Sequence, residues 1–179
     1  LSMLSKNYTT EKIIITIGLC SISLGYLLSI PSGQLNRIFI SNDKMIIGQD
    51  FLFILKQNLL IGLGIIIGFI SYNFFSIFLF IFNMFSLGFY LHHFQNKLGL
   101  FRSILLFMPH GIIEITWLTL LTIHSFKIFT SFKNALLTNF NDTSFLWKLI
   151  SFKTLILFIL IIITAIIESY LTPLLNNKF

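Results

Sequence analysis

Five long apolar runs constrain this chain more than any other feature. They cover about residues 13–30, 51–71, 74–91, 100–126 and 154–171. A helix needs about 20 mainly apolar residues to cross the roughly 30 Å of hydrocarbon in a bilayer. Only helices and closed barrels satisfy their backbone polar groups there, and these runs are too long and continuous for barrel strands. The expected fold class is therefore all-α: a polytopic transmembrane helix bundle of about five spans, forming a single membrane domain over residues 1–179.

The composition agrees, with 56% hydrophobic and 10% charged residues, where a soluble domain carries about 25% charged residues. The first run follows Lys6 and Lys12 and so imitates a signal peptide. Its end, "LLSIPSG", has no small-residue cleavage pattern, and "IGLC" puts Leu rather than a small residue before Cys20, so it reads as a retained first helix. Cys20 is the only cysteine, which excludes an intrachain disulfide.

A net charge of +6 raises the question of nucleic acid. The cations are scattered at the ends of apolar runs, where they meet lipid headgroups, and no basic patch is interleaved with aromatics. The bilayer is the expected partner, and nucleic acid is not. With the N-terminus inside, Lys6, Lys12, Lys127, Lys133, Lys148 and Lys153 stand against Arg37, Lys44, Lys56, Lys97, Arg102 and Lys178 outside, a tie. Four of the inside lysines share the connection over 127–153, which favours the N-terminus inside. The stretch "FKIFTSFKNALL" in that connection reads as an amphipathic segment along the membrane surface.

The fourth run, 27 residues long, would make about 40 Å of helix. Pro109 removes a backbone donor and disfavours helix at Met108, so the spacing predicts a break near residue 109, with a half-helix over 100–108 and a short span from His110. Gly111 leaves room beside the break. Trp117 and Trp147 read as lipid-facing or interfacial anchors.

Polar residues inside such runs are expected to face one another, because lipid disfavours them. Gln57 and Asn58 lie in the second run; Ser76, Asn83 and Tyr90, seven apart, in the third; His110 and Glu114, four apart, in the fourth; Thr164, Glu168 and Thr172 in the fifth. Gly64 and Gly68 form a G-x-x-x-G that permits close helix approach. A carboxylate at bilayer depth keeps its proton or finds a partner, because desolvation disfavours the charged form. His110 is the near partner for Glu114, and Glu168 can join from the next span. The expected intramembrane polar cluster is Asn58, Asn83, His110, Glu114 and Glu168. It serves as a hydrogen-bonded clasp between helices, as a polar path for substrate or protons, or as an acid-base or zinc site built from His110, Glu114 and Glu168. His92 and His93 read as interfacial, and His124 sits about 21 Å along the helix from His110. No H-E-x-x-H, phosphate-binding glycine loop or G-x-S-x-G is present.

The "PHGIIEI" of residues 109–115, followed by "IIESYLTP" at 166–173 and preceded by "QNLLIGLGIIIG" and an Asn in the third run, resembles the stage II sporulation protein M family of bacterial membrane proteins. The resemblance covers about residues 51–173. It implies an all-helical integral membrane protein with motif positions Asn58, Asn83, Pro109, His110, Gly111, Glu114, Glu168 and Pro173. This chain departs from the family in having Gln57 before Asn58 rather than an asparagine pair, and Met84 rather than Gly after Asn83. Its "TWLTLLTIHS" is also bulkier than the family's Ala- and Gly-rich segment.

The resemblance implies a non-enzymatic membrane subunit, because members accompany ATP-binding subunits or sit in gene clusters for circular bacteriocins. The expected role is export of, or immunity to, a hydrophobic antimicrobial peptide in a bacterial cell membrane, with a cytoplasmic ATPase docking on residues 127–153. The protein can assemble as an oligomer. Two alternatives stand beside this: an intramembrane peptidase or peptide cyclase using His110, Glu114 and Glu168, and a scaffold for cell-wall hydrolases. No cofactor is expected, zinc entering only with the enzymatic alternative.

Overall fold

A computed structural model describes residues 2–29, 51–140 and 143–171. Pro173, Thr172, Arg37, Lys44 and Lys178 lie outside the described residues. Within them the protein is a polytopic helix bundle without strands, and five helical segments are long and apolar enough to cross a membrane. The helices are α1 (Ser2–Leu28), α2 (Phe51–Ile67), α3 (Phe74–Leu98), α4 (Leu100–Leu137), a short α5 (Ser144–Leu149) and α6 (Phe152–Ile166). A 3-10 turn, Gly68–Ser71, extends α2, and a π turn, Ile167–Leu171, extends α6.

The reversal between α2 and α3 is tight. Tyr72 and Asn73 both take left-handed backbone angles (φ 55 and 62), a region that Asn tolerates better than most residues. The Ser71 hydroxyl accepts from the Phe75 amide at 3.1 Å, and the Asn73 amide donates to the Gly68 carbonyl at 3.0 Å. The next reversal is a single residue: Gly99, with φ 81, separates α3 from α4 and meets nothing within 4 Å where a Cβ would stand. Its role is conformational, since positive φ is open to glycine at little cost.

The fourth segment differs from expectation. α4 is one helix of 38 residues that runs through Pro109 without a break, about 57 Å long. The expected half-helix over 100–108 and short span from His110 are thus corrected. Proline removes one hydrogen bond, to the Leu105 carbonyl, but the helix-favouring residues on both sides keep the remaining ladder. Pro109→Ala restores that donor and is expected to raise the thermal unfolding midpoint in detergent, by a stabilisation of up to about 3 kcal/mol. An unchanged or lower midpoint would mean that the proline relieves a clash in the continuous helix. The "FKIFTSFKNALL" stretch is corrected as well: it is the last part of α4, continuous with the spanning helix and not a separate surface segment.

α4 is the central element, packing against α1, α2, α3, α5 and α6. Trp117, Leu118, Leu121 and Ile128 of α4 meet Ile65 of α2, Phe80 and Met84 of α3 and Ile161 of α6 in one core. Lipid offers these side chains as apolar a setting as the core does, so close fit rather than water exclusion holds the helices together. The Gly64 and Gly68 pair serves that fit: Cβ atoms there would lie 2.6 Å from Leu79 Cδ1 and 2.1 Å from Ser76 Oγ, both on α3.

Candidate functional site

The π turn that ends the fifth segment carries Glu168. Widened turns of this type recur at functional sites, and this one packs against both α2 and α4. Phe51 of α2 and Tyr170 of the turn bring their rings to 6.4 Å. Glu114, on α4, lies on the side of that helix that faces the turn, near enough for Glu168 to influence it electrostatically. Both are part-buried. Among the described residues neither has a hydrogen bond or an ion pair.

His110 stands one turn before Glu114, part-buried, with its ring edge-on to Phe107 at 5.5 Å. The described hydrogen bonds do not join it to Glu114. Gly111 explains the position of Phe107: a Cβ on Gly111 would fall 2.4 Å from the Phe107 ring. The glycine therefore makes room within its own helix for the ring that shelves His110.

Asn58, on α2, is buried, and its side-chain amide nitrogen has no hydrogen-bond partner among the described residues. Asn83 turns to its own helix, donating to the Leu79 carbonyl at 2.7 Å. Thr164 does the same with Leu160 at 2.8 Å. Gln57 is exposed. The seven-residue stripe in α3 rotates out of the core, from Ser76 at 0% exposure to Tyr90 at 39%, because a straight helix drifts about 20° per seven residues. Among the described residues, no group of three or more His, Cys, Asp or Glu is arranged to hold a metal ion.

The sequence model of the Stage II sporulation protein M family matches residues 13–173. The chain belongs to this family. The match adds the first span to the region of resemblance, and no curated protein and no solved structure matches the chain.

In this member of the Stage II sporulation protein M family, the bulky segment after the P-H-G element does not loosen the bundle. Trp117, Leu118 and Leu121 are completely buried, so large side chains fill the space that small ones would leave to neighbouring backbones. Trp117 is therefore corrected from a lipid-facing anchor to a core residue, whereas Trp147 is 77% exposed.

Two buried polar nodes go beyond the sequence reading of this family member, which marks Ser76 as inward-facing but none of its partners. Ser76 donates to the Ile65 carbonyl at 2.6 Å and pairs with Ser125 at 3.0 Å, and Ser125 donates to Asn73 Oδ1 at 2.8 Å. This node ties the α2–α3 reversal to α4. Nearby in α4, His124 is buried, with Nε2 2.9 Å from Thr154 Oγ1 and 3.1 Å from the Lys148 carbonyl. The signal was faint: a serine-rich reversal, and a histidine whose spacing from His110 excluded it from the other cluster. At the opposite end of the bundle, His92 is buried against Tyr26, with ring centroids at 4.8 Å, and Asn96 Nδ2 lies 2.8 Å from His92 Nε2.

Proposed function

We propose that this protein is a multi-pass, non-enzymatic subunit of a bacterial cell membrane that exports, or gives immunity to, a hydrophobic antimicrobial peptide of the bacteriocin type. It works with a cytoplasmic ATPase that docks on residues 127–153, which the last turns of α4 and α5 occupy. The observation that supports this reading is the carboxylate pair. Glu114 and Glu168 converge from two spans with no basic partner among the described residues. A part-buried acid without a paired charge is costly where the bundle shields it from water, so an amine or basic side chain carried on a hydrophobic peptide gains affinity by supplying the missing charge.

The test is a tolerance and export assay in cells with Glu114→Gln and Glu168→Gln, each at unchanged protein level. Losing one charged hydrogen bond of roughly 1.5 kcal/mol corresponds to about tenfold weaker peptide binding. Both variants are expected to lose tolerance, and the double variant should be little worse than either, since the pair acts as a unit. Unchanged tolerance and export in both variants, with no ATP-binding protein retained by the detergent-solubilised protein, would end the proposal.

A further inference from the structure

At the end of the bundle away from the carboxylate pair, α5 presents a surface that no other part of the described chain covers. It has six residues and buries none of them completely. One side is fixed to the bundle: Phe145 meets Phe132 at 5.4 Å and Phe69 at 6.4 Å, and Lys148 Nζ donates to Ser131 Oγ. Trp147 of α5, Ile150 just past its end and Phe152 at the start of α6 are open, at 77%, 78% and 74% exposed.

Cations cluster around this patch. His124 Nε2 stands 3.1 Å from the Lys148 carbonyl and 2.9 Å from Oγ1 of Thr154, the residue after Lys153, whereas Lys127 faces α1 and pairs with Glu11 at 3.0 Å. Lys148 lies between Trp147 and Ile150 in sequence, and Lys153 follows Phe152. In the sequence from 127 to 153 there are four lysines and one acid, Asp142.

Depth is set by length. The 20 residues from Phe152 through the π turn at Leu171 span about 30 Å, the thickness of a hydrocarbon layer. Phe152 therefore stands at one boundary and Tyr170, 61% exposed, near the other, the arrangement of aromatic belts at membrane interfaces. The patch immediately before Phe152 must then lie in the headgroup region.

We infer that α5 and the residues through Lys153 form an in-plane anchor on an anionic lipid surface. Trp147, Ile150 and Phe152 enter the acyl boundary while Lys153, and Lys148 through the N–H donors that Ser131 does not take, meet lipid phosphates. Lipid fits better than a soluble partner because apolar side chains flanked by cations on a short surface helix are matched by an anionic interface, whose attraction is about 1 kcal/mol per basic residue. The anchor leaves the exposed end of α4, at Leu136 and Leu137, free for the ATPase within 127–153, and it does not depend on what the carboxylate pair binds.

The experiment uses the full chain carrying Trp117→Phe, so that Trp147 is the sole tryptophan, in vesicles of phosphatidylcholine with or without phosphatidylglycerol. Trp147 emission is expected to shift to the blue, to be quenched by bromines placed on acyl carbons near the headgroup, and to lose its quenching by aqueous iodide. Lys148→Glu with Lys153→Glu should reverse these changes in the phosphatidylglycerol vesicles. Where Trp117→Phe does not fold, Cys20→Ser with Ile150→Cys bearing an environment-sensitive fluorophore gives the same readouts. Free access of iodide would overturn the anchor. Shielding from both iodide and lipid bromines, or disulfide-linked Ile150→Cys dimers, would overturn it in favour of a protein partner or a second copy. Identical behaviour with and without phosphatidylglycerol would overturn its anionic preference.

Discussion

Gly25→Ala and Gly88→Ala are each expected to abolish recovery of folded, monodisperse protein from the membrane, whereas Gly64→Ala is expected to be recovered and to melt within a few degrees of the parent. The difference lies in what the new methyl group meets. A Cβ on Gly88 would stand 2.0 Å from the Ile22 carbonyl oxygen and 3.0 Å from the Tyr26 nitrogen. On Gly25 it would stand 2.0 Å from the Phe85 carbonyl oxygen and 3.1 Å from the Phe89 nitrogen. These are backbone atoms of α1 and α3, the most extensive helix contact in the bundle, and no rotamer change moves them. Overpacking against side chains already costs about 1–3 kcal/mol. Here the two helices must separate along their whole contact, so the loss exceeds that range. At Gly64 the Cβ meets the end of the Leu79 side chain at 2.6 Å, which can turn away. Size-exclusion chromatography after graded heating in detergent measures the contrast. Parent-like stability of Gly88→Ala would contradict the close approach of α1 to α3.

That contact also shows where sequence reading stops. Gly64 and Gly68 were legible because they sit four apart on one helix, and a helical face is a local pattern. Gly25 and Gly88 lie on different spans, and their mutual fit depends on helix placement that no local spacing encodes. The five spans themselves were legible because length and apolarity decide whether a segment can cross a bilayer. Their ends were less so: α3 runs on to Leu98 and α4 to Leu137, since helix continues beyond the apolar stretch wherever nothing stops it. Propensity alone predicts that Pro109 stops α4, but the surrounding ladder outweighs it, and Gly99, ten residues earlier, makes the actual turn.

Within the candidate site, the acidic character of Glu114 and Glu168 marked them for the bundle interior, and the structure sets the two near each other. The π turn that carries Glu168 has no sequence signature, because it arises from one residue too many in the last turn rather than from any residue type. Polarity alone groups Asn83 with the acids, yet an asparagine in a helix can satisfy itself on the carbonyl four residues earlier, as it does with Leu79.

Trp117→Ala is expected to cost about 3–5 kcal/mol, the usual range for emptying a large aromatic site in a packed interior, and Trp117→Phe far less. Trp117 is fully buried in the middle of the longest helix and sits in the core that joins α2, α3, α4 and α6. Alanine there leaves a void that the neighbours cannot close, because Leu118 and Leu121 beside it are already fully buried. The indole nitrogen has no hydrogen-bond partner among the described residues, so truncation forfeits packing and no hydrogen bond. Phenylalanine keeps most of the volume and also removes the buried unpaired donor, whose desolvation costs about 1–3 kcal/mol, so its two effects oppose each other. Thermal unfolding in detergent, read by circular dichroism, separates the cases. If Trp117 instead faced lipid, both variants would melt like the parent, acyl chains filling the space that the indole leaves.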